Sequence, residues 1–197
     1  MTERDVEDHM LISRAQAGDQ PALNVLIRKY EARAYQYAFR LTRSPEIAAD
    51  VVAEAFVRIF NALPNFKGQS SFGTWMYRIL TNCFLDMKKK DKGRTVSLES
   101  AITTEEGEVE RQFEDPAPNP AESFEKHDRD RRIERAIRAL PEYQRAMIVM
   151  YHGESMSYDD MAAALDLPVG TVKSRLNRAR MTLRELLARD EELFRST

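Results

Sequence analysis

Apolar side chains recur at steps of three and four from Leu23 through Leu26, Ile27, Tyr30, Ala34, Tyr37 and Ala38 to Leu41. That spacing lays one continuous stripe along an α-helix. A strand turns its faces every second residue, so the same pattern cannot bury itself in a sheet. Asp19 supplies an N-cap for this helix, with Pro21 tolerated in the first turn. A second stripe follows Ser44-Pro45, with Val51 or Val52, Phe56, Ile59, Phe60 and Leu63, and stops at Pro64. A third starts near Ser70 or Ser71 and carries Phe72, Trp75, Met76, Ile79, Leu80, Cys83, Phe84 and Met87 up to a lysine run. With a short leading helix over about Asp8 to Ala17, these make a four-helix arrangement. Only 7 Gly and 8 Pro occur in 197 residues, too few for the frequent turns of a β-sandwich. The chain is expected to be all-α.

After the lysine run the periodicity ends. From Leu98 to Glu125 the acids Glu99, Glu105, Glu106, Glu108, Glu110, Glu114, Asp115, Glu122 and Glu125 face Arg111 alone, and Asp115 to Pro120 reads DPAPNP. So few apolar residues cannot offset the entropy of ordering. Residues 94–125 are therefore expected to form a long, flexible acidic linker between two small helical domains, 1–93 and 126–197. In the second domain Ile133, Ile137 and Leu140 mark one helix ended by Pro141, and Tyr143 to Tyr151 a second. Ser157, followed three residues later by Asp160, resembles a capping box that opens a third helix through Met161, Ala162 and Leu165. After the break Asp166-Leu-Pro-Val-Gly170 a new stripe begins with Val172, Leu176, Ala179, Leu183 and Leu186. Helix, tight turn, helix is the outline of a helix-turn-helix reader.

Whole-chain charge hides this organisation. Thirty Lys and Arg against 32 Asp and Glu give −2, which alone argues against nucleic acid. By segment the balance differs. Lys67, Arg78, Lys88, Lys89, Lys90, Lys92 and Arg94 meet only Asp86 and Asp91, and Lys173, Arg175, Arg178, Arg180, Arg184 and Arg189 meet only Glu185. Two basic regions thus flank one acidic strip.

Several chemistries find no support. The single cysteine, Cys83, excludes an internal disulfide and reads as a small buried thiol, and the scattered His9, His127 and His152 do not make a zinc site. No Gly-rich phosphate loop or nucleophile-base pair is visible, so no enzyme, metal or cofactor is expected. The start, MTERDVEDHML, lacks the basic flank and apolar run of a signal peptide, and no segment approaches the roughly 20 apolar residues of a membrane span. A cytoplasmic protein without membrane insertion is expected.

If Val172, Leu176 and Ala179 face the core, a rotation of about 100° per residue puts Ser174, Asn177, Arg178 and Met181 on the far side. Lys173, Arg175 and Arg180 lie on its flanks. Arginine or lysine addresses guanine O6 and N7, asparagine pairs with adenine, and flanking arginines suit phosphates. The run from Ser157 to Arg180, with Leu167-Pro-Val-Gly-Thr-Val-Lys-Ser-Arg-Leu-Asn-Arg-Ala-Arg180 at its end, closely resembles the promoter −35 reader of bacterial extracytoplasmic-function sigma factors, the two-domain branch of the sigma-70 family.

A second resemblance lies in the first domain. Asn65-Phe-Lys-Gly-Gln-Ser-Ser-Phe-Gly-Thr-Trp-Met-Tyr-Arg-Ile-Leu-Thr-Asn82 is similar to the family's −10 segment, in which a loop catches an unstacked base and the next helix lines the single strand. The residue types fit strand binding, because Phe66, Phe72, Trp75 and Tyr77 place aromatic faces among Lys67, Arg78 and the Lys88 to Lys92 cluster. Phe72, Ile79 and Phe84 read better as core. Phe66, Lys67, Gly68, Gln69, Ser70, Trp75, Arg78 and Asn82 are the candidate −10 residues, with Gly68 allowing close approach of backbone.

Ala48 to Arg58 resembles the family's docking site for the clamp helices of core RNA polymerase, with Asp50, Glu54, Phe56 and Arg58 as candidates. The family usually carries Gln immediately before that Glu, and Ala53 lacks its polar contact. The resemblance further implies that the acidic linker threads the polymerase channel, which suits a basic channel built for phosphates. It implies core RNA polymerase, promoter DNA as duplex and single strand, and an anti-sigma factor as partners. A self-sufficient helix-turn-helix regulator is the alternative, and it leaves the Phe66 to Asn82 segment without a purpose.

Overall fold

The computed structural model describes residues 3–97 and 120–195, and all regular structure among them is helical. Four helices make the first unit: α1 (Glu3–Gln16), α2 (Gln20–Thr42), α3 (Pro45–Ala62) and α4 (Phe72–Ser97). The second unit holds α5 (Pro120–Ala139), α6 (Glu142–Ile148), α7 (Tyr158–Leu165) and α8 (Val169–Arg195). Short-range signals fixed most boundaries. The Asp19 side chain accepts from the Ala22 amide to cap α2, and the Ser44 hydroxyl accepts from Ile47 to cap α3, each with proline in the first turn. Ser157 accepts from the Asp160 amide at 3.0 Å, the first half of the expected capping box; in place of the second half, its own hydroxyl donates to the Asp160 carboxylate at 2.6 Å.

Four expectations need correction. Helix α4 does not stop at the lysines but continues to Ser97: lysine is a good helix former, and Gly93 within the extension costs only about 1 kcal/mol relative to alanine. Helix α5 starts at Pro120, so residues 94–97 and 120–125 are helical where a linker was expected; proline is well tolerated at the first helical position, where its missing N–H has no partner to lose. The remainder of the acidic strip, with Glu105, Glu106, Glu108 and Glu110, lies outside the described residues. Tyr143 to Tyr151 is not one α-helix: α6 ends at Ile148 and widens into a π-helical turn, Val149–Gly153, in which the Glu154 amide reaches back to the Val149 carbonyl at 3.0 Å. Finally, the break expected over Asp166 to Gly170 is shorter: Asp166 turns the chain at φ 55°, and α8 already begins at Val169, with Gly170 inside its first turn.

Most apolar stripe positions are buried as their spacing requires, but Phe60 and Ile133, expected on buried faces, are exposed. Leu26, Tyr37 and Leu41 of α2 meet Val51 and Ile59 of α3 and Met76, Leu80 and Phe84 of α4 in one interior. Met147, Met150, Met161, Val172, Leu176 and Ala179 do the same in the second unit. The two interiors are continuous, because α6, the π turn and α7 pack on α2 and α4. Arg145, 8% exposed, crosses that junction and donates to the Leu41 carbonyl at the end of α2 at 2.9 Å. Its other nitrogen donates to the carbonyls of Arg138 and, at 3.2 Å, Leu140 at the end of α5.

Candidate nucleic-acid interface

Helix α8 presents its first three turns as expected. Val172, Leu176 and Ala179 are buried, and Lys173, Ser174, Arg175, Asn177 and Arg178 are exposed. Arg180 departs from the others: it is half-buried, its guanidinium 4.6 Å from the centre of the Tyr151 ring and its Nε 3.4 Å from His152 Nε2. Lys173 and Arg175 also lie over rings, those of Tyr158 at 5.5 Å and Tyr143 at 5.2 Å. Tyr151 and Tyr158 stack on each other with centroids 5.3 Å apart. Three tyrosines from three preceding elements thus fix the bearing of three cations on the reader. Hydrogen bonds from Tyr158 and Arg180 lower the Tyr151 phenol below its ordinary range, and burial lowers the His152 imidazole, with the Arg180 charge adding to it. Sequence reasoning missed these rings, because α6, the π turn and α7 are separated along the chain from the α8 residues they touch.

The segment before α4 is a preformed loop. A 3₁₀ turn at Leu63–Asn65 leads into it, and the Gln16 amide of α1 donates to the carbonyls of Leu63 at 3.0 Å and Phe66 at 2.9 Å, an anchor no local pattern revealed. Lys67, Gly68 and Gln69 are exposed, Ser70 is half-buried, and Gly68 sits at φ +66° with open space around it. Only the backbone conformation demands glycine there. Ser71 caps α4 through the Thr74 amide at 3.1 Å.

The four aromatics divide into two kinds. Phe66 and Trp75, both half-buried, pack at 4.6 Å and make a ledge beside the loop, resting on Phe72, which is 2% exposed. Tyr77 is no stacking platform: it is 3% exposed, contacts Tyr37 at 4.8 Å and donates to the Glu154 carboxylate of the second unit. Burial pushes its phenol up to about 12, with the Glu154 bond acting in the same direction. Arg78 is half-buried and Asn82 is exposed one turn further along α4.

The candidates on α3 point two ways. Asp50 and Glu54 are exposed on one ridge, and Arg58 joins them, bonded to Glu54 and to Asp86 of α4, each at 2.8 Å. Those bonds, Asp86 first, raise the guanidinium above its ordinary range. Phe56 turns away and lines an open groove of about 680 Å³ against α2, with Ile27, Tyr35, Val52 and Ala53 among its walls. The short Ala53 side chain leaves that wall apolar. Among the described residues, no group of three or more His, Cys, Asp or Glu is placed to hold a metal ion, and no helix is long and apolar enough to cross a membrane.

The order of these two units along the chain is matched by two family descriptions, Sigma-70 region 2 over residues 26–94 and Sigma-70, region 4 over residues 130–183. The RNA polymerase sigma-H factor of Pseudomonas aeruginosa is 34% identical over 186 residues, covering 92% of this chain and 94% of that protein. The chain belongs to the sigma-70 family. It is of the extracytoplasmic-function type: the ECF RNA polymerase sigma-E factor of Escherichia coli K12 is 35% identical over 174 residues, 88% of this chain and 90% of that one. Among solved structures, CnrH in complex with the cytosolic domain of CnrY matches with a TM-score of 0.64 at 25% identity, over 93% of this chain and 99% of that one. The sigma factor RpoE of Bartonella quintana, solved with the anti-sigma factor NepR, shares the fold with a TM-score of 0.63 at 24% identity, over 84% and 96%. As a sigma factor, this chain has its region 2 in α2 to α4 and its region 4 in α5 to α8.

Proposed function

We propose that this sigma factor docks on core RNA polymerase through the α3 ridge of Asp50, Glu54 and Arg58 and the adjoining Phe56 groove. It then reads the −35 duplex with Lys173, Ser174, Arg175, Asn177 and Arg178, while Arg180 approaches phosphate from its tyrosine support. The −10 strand is held by the Phe66 to Ser70 loop, the Trp75 ledge, Arg78 and Asn82. It carries no catalytic chemistry of its own, works in the cytoplasm, and is restrained by an anti-sigma factor, as the NepR complex of its structural neighbour suggests.

The observation that carries this reading is the row Ser174, Asn177 and Arg178, exposed together opposite a fully buried stripe at the start of a helix that follows a tight turn. Reconstitution tests it. Purified chain and core polymerase are mixed with a promoter library carrying a fluorescent reporter of strand opening. Opening only when both proteins are present is expected; tight, specific duplex binding by the chain alone, with no gain from core enzyme, would replace this reading with the self-sufficient regulator.

A further inference from the structure

Helix α1 ends at Gln16, ahead of the stretch matched as Sigma-70 region 2, which begins at residue 26. Its inner side, Leu11, Ile12 and Ala15, packs half-buried on the interior, and the helix rests against α2 and the 3₁₀ turn Leu63–Asn65. The chain then turns sharply. Gly18 takes φ +93°, and the Asp19 amide reaches back to the Arg14 carbonyl at 3.0 Å. The Asp19 carboxylate meets the Arg14 guanidinium at 2.6 Å and accepts from the Ala22 amide at 3.1 Å, so it ties the end of α1 to the start of α2. Gln16 is thereby fixed at a corner between two helices.

From that corner the Gln16 amide donates to the Leu63 carbonyl at 3.0 Å and to the Phe66 carbonyl at 2.9 Å. The second bond sets a direction. A trans peptide is planar, and its C=O and N–H point opposite ways. With the Phe66 carbonyl held towards α1, the Lys67 N–H is turned away from α1 at the point where the exposed Lys67 to Gln69 loop begins. The Phe66 ring is seated separately, 4.6 Å from Trp75 and 6.3 Å from Phe72, and the Ser71 cap on Thr74 holds the far end of the loop. Ring, carbonyl and cap together leave the loop little freedom between its ends. A backbone donor of fixed direction discriminates among bases, because their edges carry acceptors in different places.

We propose that Gln16 is a positioning residue for base selection in the −10 strand: it orients the peptide between Phe66 and Lys67, and α1 thereby belongs to the strand-reading apparatus. The proposal rests on the −10 assignment made above and adds to it a residue and an element from outside the loop. Gln16 is itself exposed, so its hydrogen bonds compete with water and contribute little to stability. Their effect is on direction. Without the amide the Phe66 carbonyl is free to turn to solvent, and the Lys67 N–H turns with it. The loop then still offers charge and an aromatic ledge to any strand, but it no longer presents one donor at one angle.

The test uses the full chain assembled with core RNA polymerase and a pool of single-stranded DNA carrying six randomised positions between fixed flanks. Bound strands are recovered and sequenced, and the enrichment of each base is read position by position. Gln16→Met keeps the length of the side chain and removes its donors. It should lower the enrichment of the preferred base about three- to tenfold at one position, the scale of one neutral hydrogen bond, and leave the other positions unchanged. Affinity for the whole pool should hardly move, and the thermal midpoint of the free chain should shift by no more than about 4 °C. Gln16→Lys returns a donor of sufficient reach and should recover the lost selectivity. Its added charge attracts every strand alike, so it cancels in the ratio between bases.

Full selectivity in Gln16→Met would overturn the positioning role while leaving the −10 assignment intact. An even loss at all six positions together with a larger fall in thermal midpoint would overturn it too, because Gln16 would then be a structural prop for the whole unit. If the unaltered complex enriches no base at any position, the −10 assignment falls and the role of Gln16 falls with it.

Discussion

Replacing Arg145 by methionine removes a guanidinium that joins the carbonyl ends of two helices from different units. The side chain is buried, and it donates to Leu41 of α2 and to Arg138 and Leu140 of α5. Hydrogen bonds from a charged donor contribute about 1.5–3 kcal/mol each when broken singly. The three do not add, because methionine also removes the cost of burying a charge, a cost visible in the lowering of the Arg145 pKa by desolvation. A net loss of about 2–4 kcal/mol is expected, a large part of the roughly 5–15 kcal/mol of a typical domain. Urea unfolding should register it as a fall in midpoint of about 1–2 M at the usual slopes. The only tryptophan, Trp75, reports on the first unit, whereas far-ultraviolet ellipticity reports on both. With Arg145 gone the two signals should no longer coincide, since the units lose their buried cross-tie. Arg145→Lys should fall between the two, because a single ammonium cannot reproduce the fork. Coincident transitions and a midpoint within about 0.3 M of the original would show that water satisfies these carbonyls equally well, and the reasoning would fail.

Other consequences follow from single contacts. Ser157→Ala deletes the hydroxyl that caps the Asp160 amide of α7 and should cost about 1 kcal/mol in thermal or chemical unfolding, with Ser157→Thr recovering most of it; equal losses for both would deny the cap. Burial pushes the Cys83 thiol up to about 11 from 9.0, so at pH 8 the folded chain should react with a thiol reagent at least roughly 100-fold more slowly than the urea-unfolded chain. Because the folded pKa is the higher one, the thiol's share of stability is complete below pH 9 and drains away as pH rises towards 11; a Cys83→Ser comparison over that window checks the sign. Tyr151→Leu should weaken binding of a −35 duplex about 2–5-fold and have little further effect once Arg180→Ala is present, since the ring acts through that guanidinium; additive losses in the double variant would separate the two residues.

Most of the fold was legible because it is local. Asp19, Ser44 and Ser157 announce helix starts within four residues, and the stripes of α2, α3, α4 and α8 are read directly as buried faces. What stayed hidden is long-range. Nothing near Gln16 tells that it holds the Phe66 loop 50 residues away, and nothing near Tyr77 distinguishes a stacking ring from one buried against Glu154. Composition even misdirected the reading at Pro120, where a proline-rich run looks like a linker until one proline is seen to occupy the first position of a helix. The divergence of Phe56 from Arg58 follows from helical geometry, two residues being about 200° apart, yet the groove that receives Phe56 exists only once α2 lies beside α3.

The near-neutral charge of the whole chain gains a physical meaning from the packing. Acids and bases are not merely balanced in number; Arg40 and Arg78 of the basic first unit are held by Glu154 and Asp166 of the second. An arginine paired with a carboxylate of the second unit cannot at the same time neutralise a phosphate, so the counterions condensed on that phosphate stay on the DNA. Asp166→Asn frees Arg78 for phosphate and should steepen the salt dependence of strand binding by up to roughly 0.7 in the logarithmic slope; an unchanged slope would show that Arg78 makes no such contact. Net charge alone therefore understates the attraction of the two basic segments for DNA, because it counts as balanced the cations that a single substitution would free.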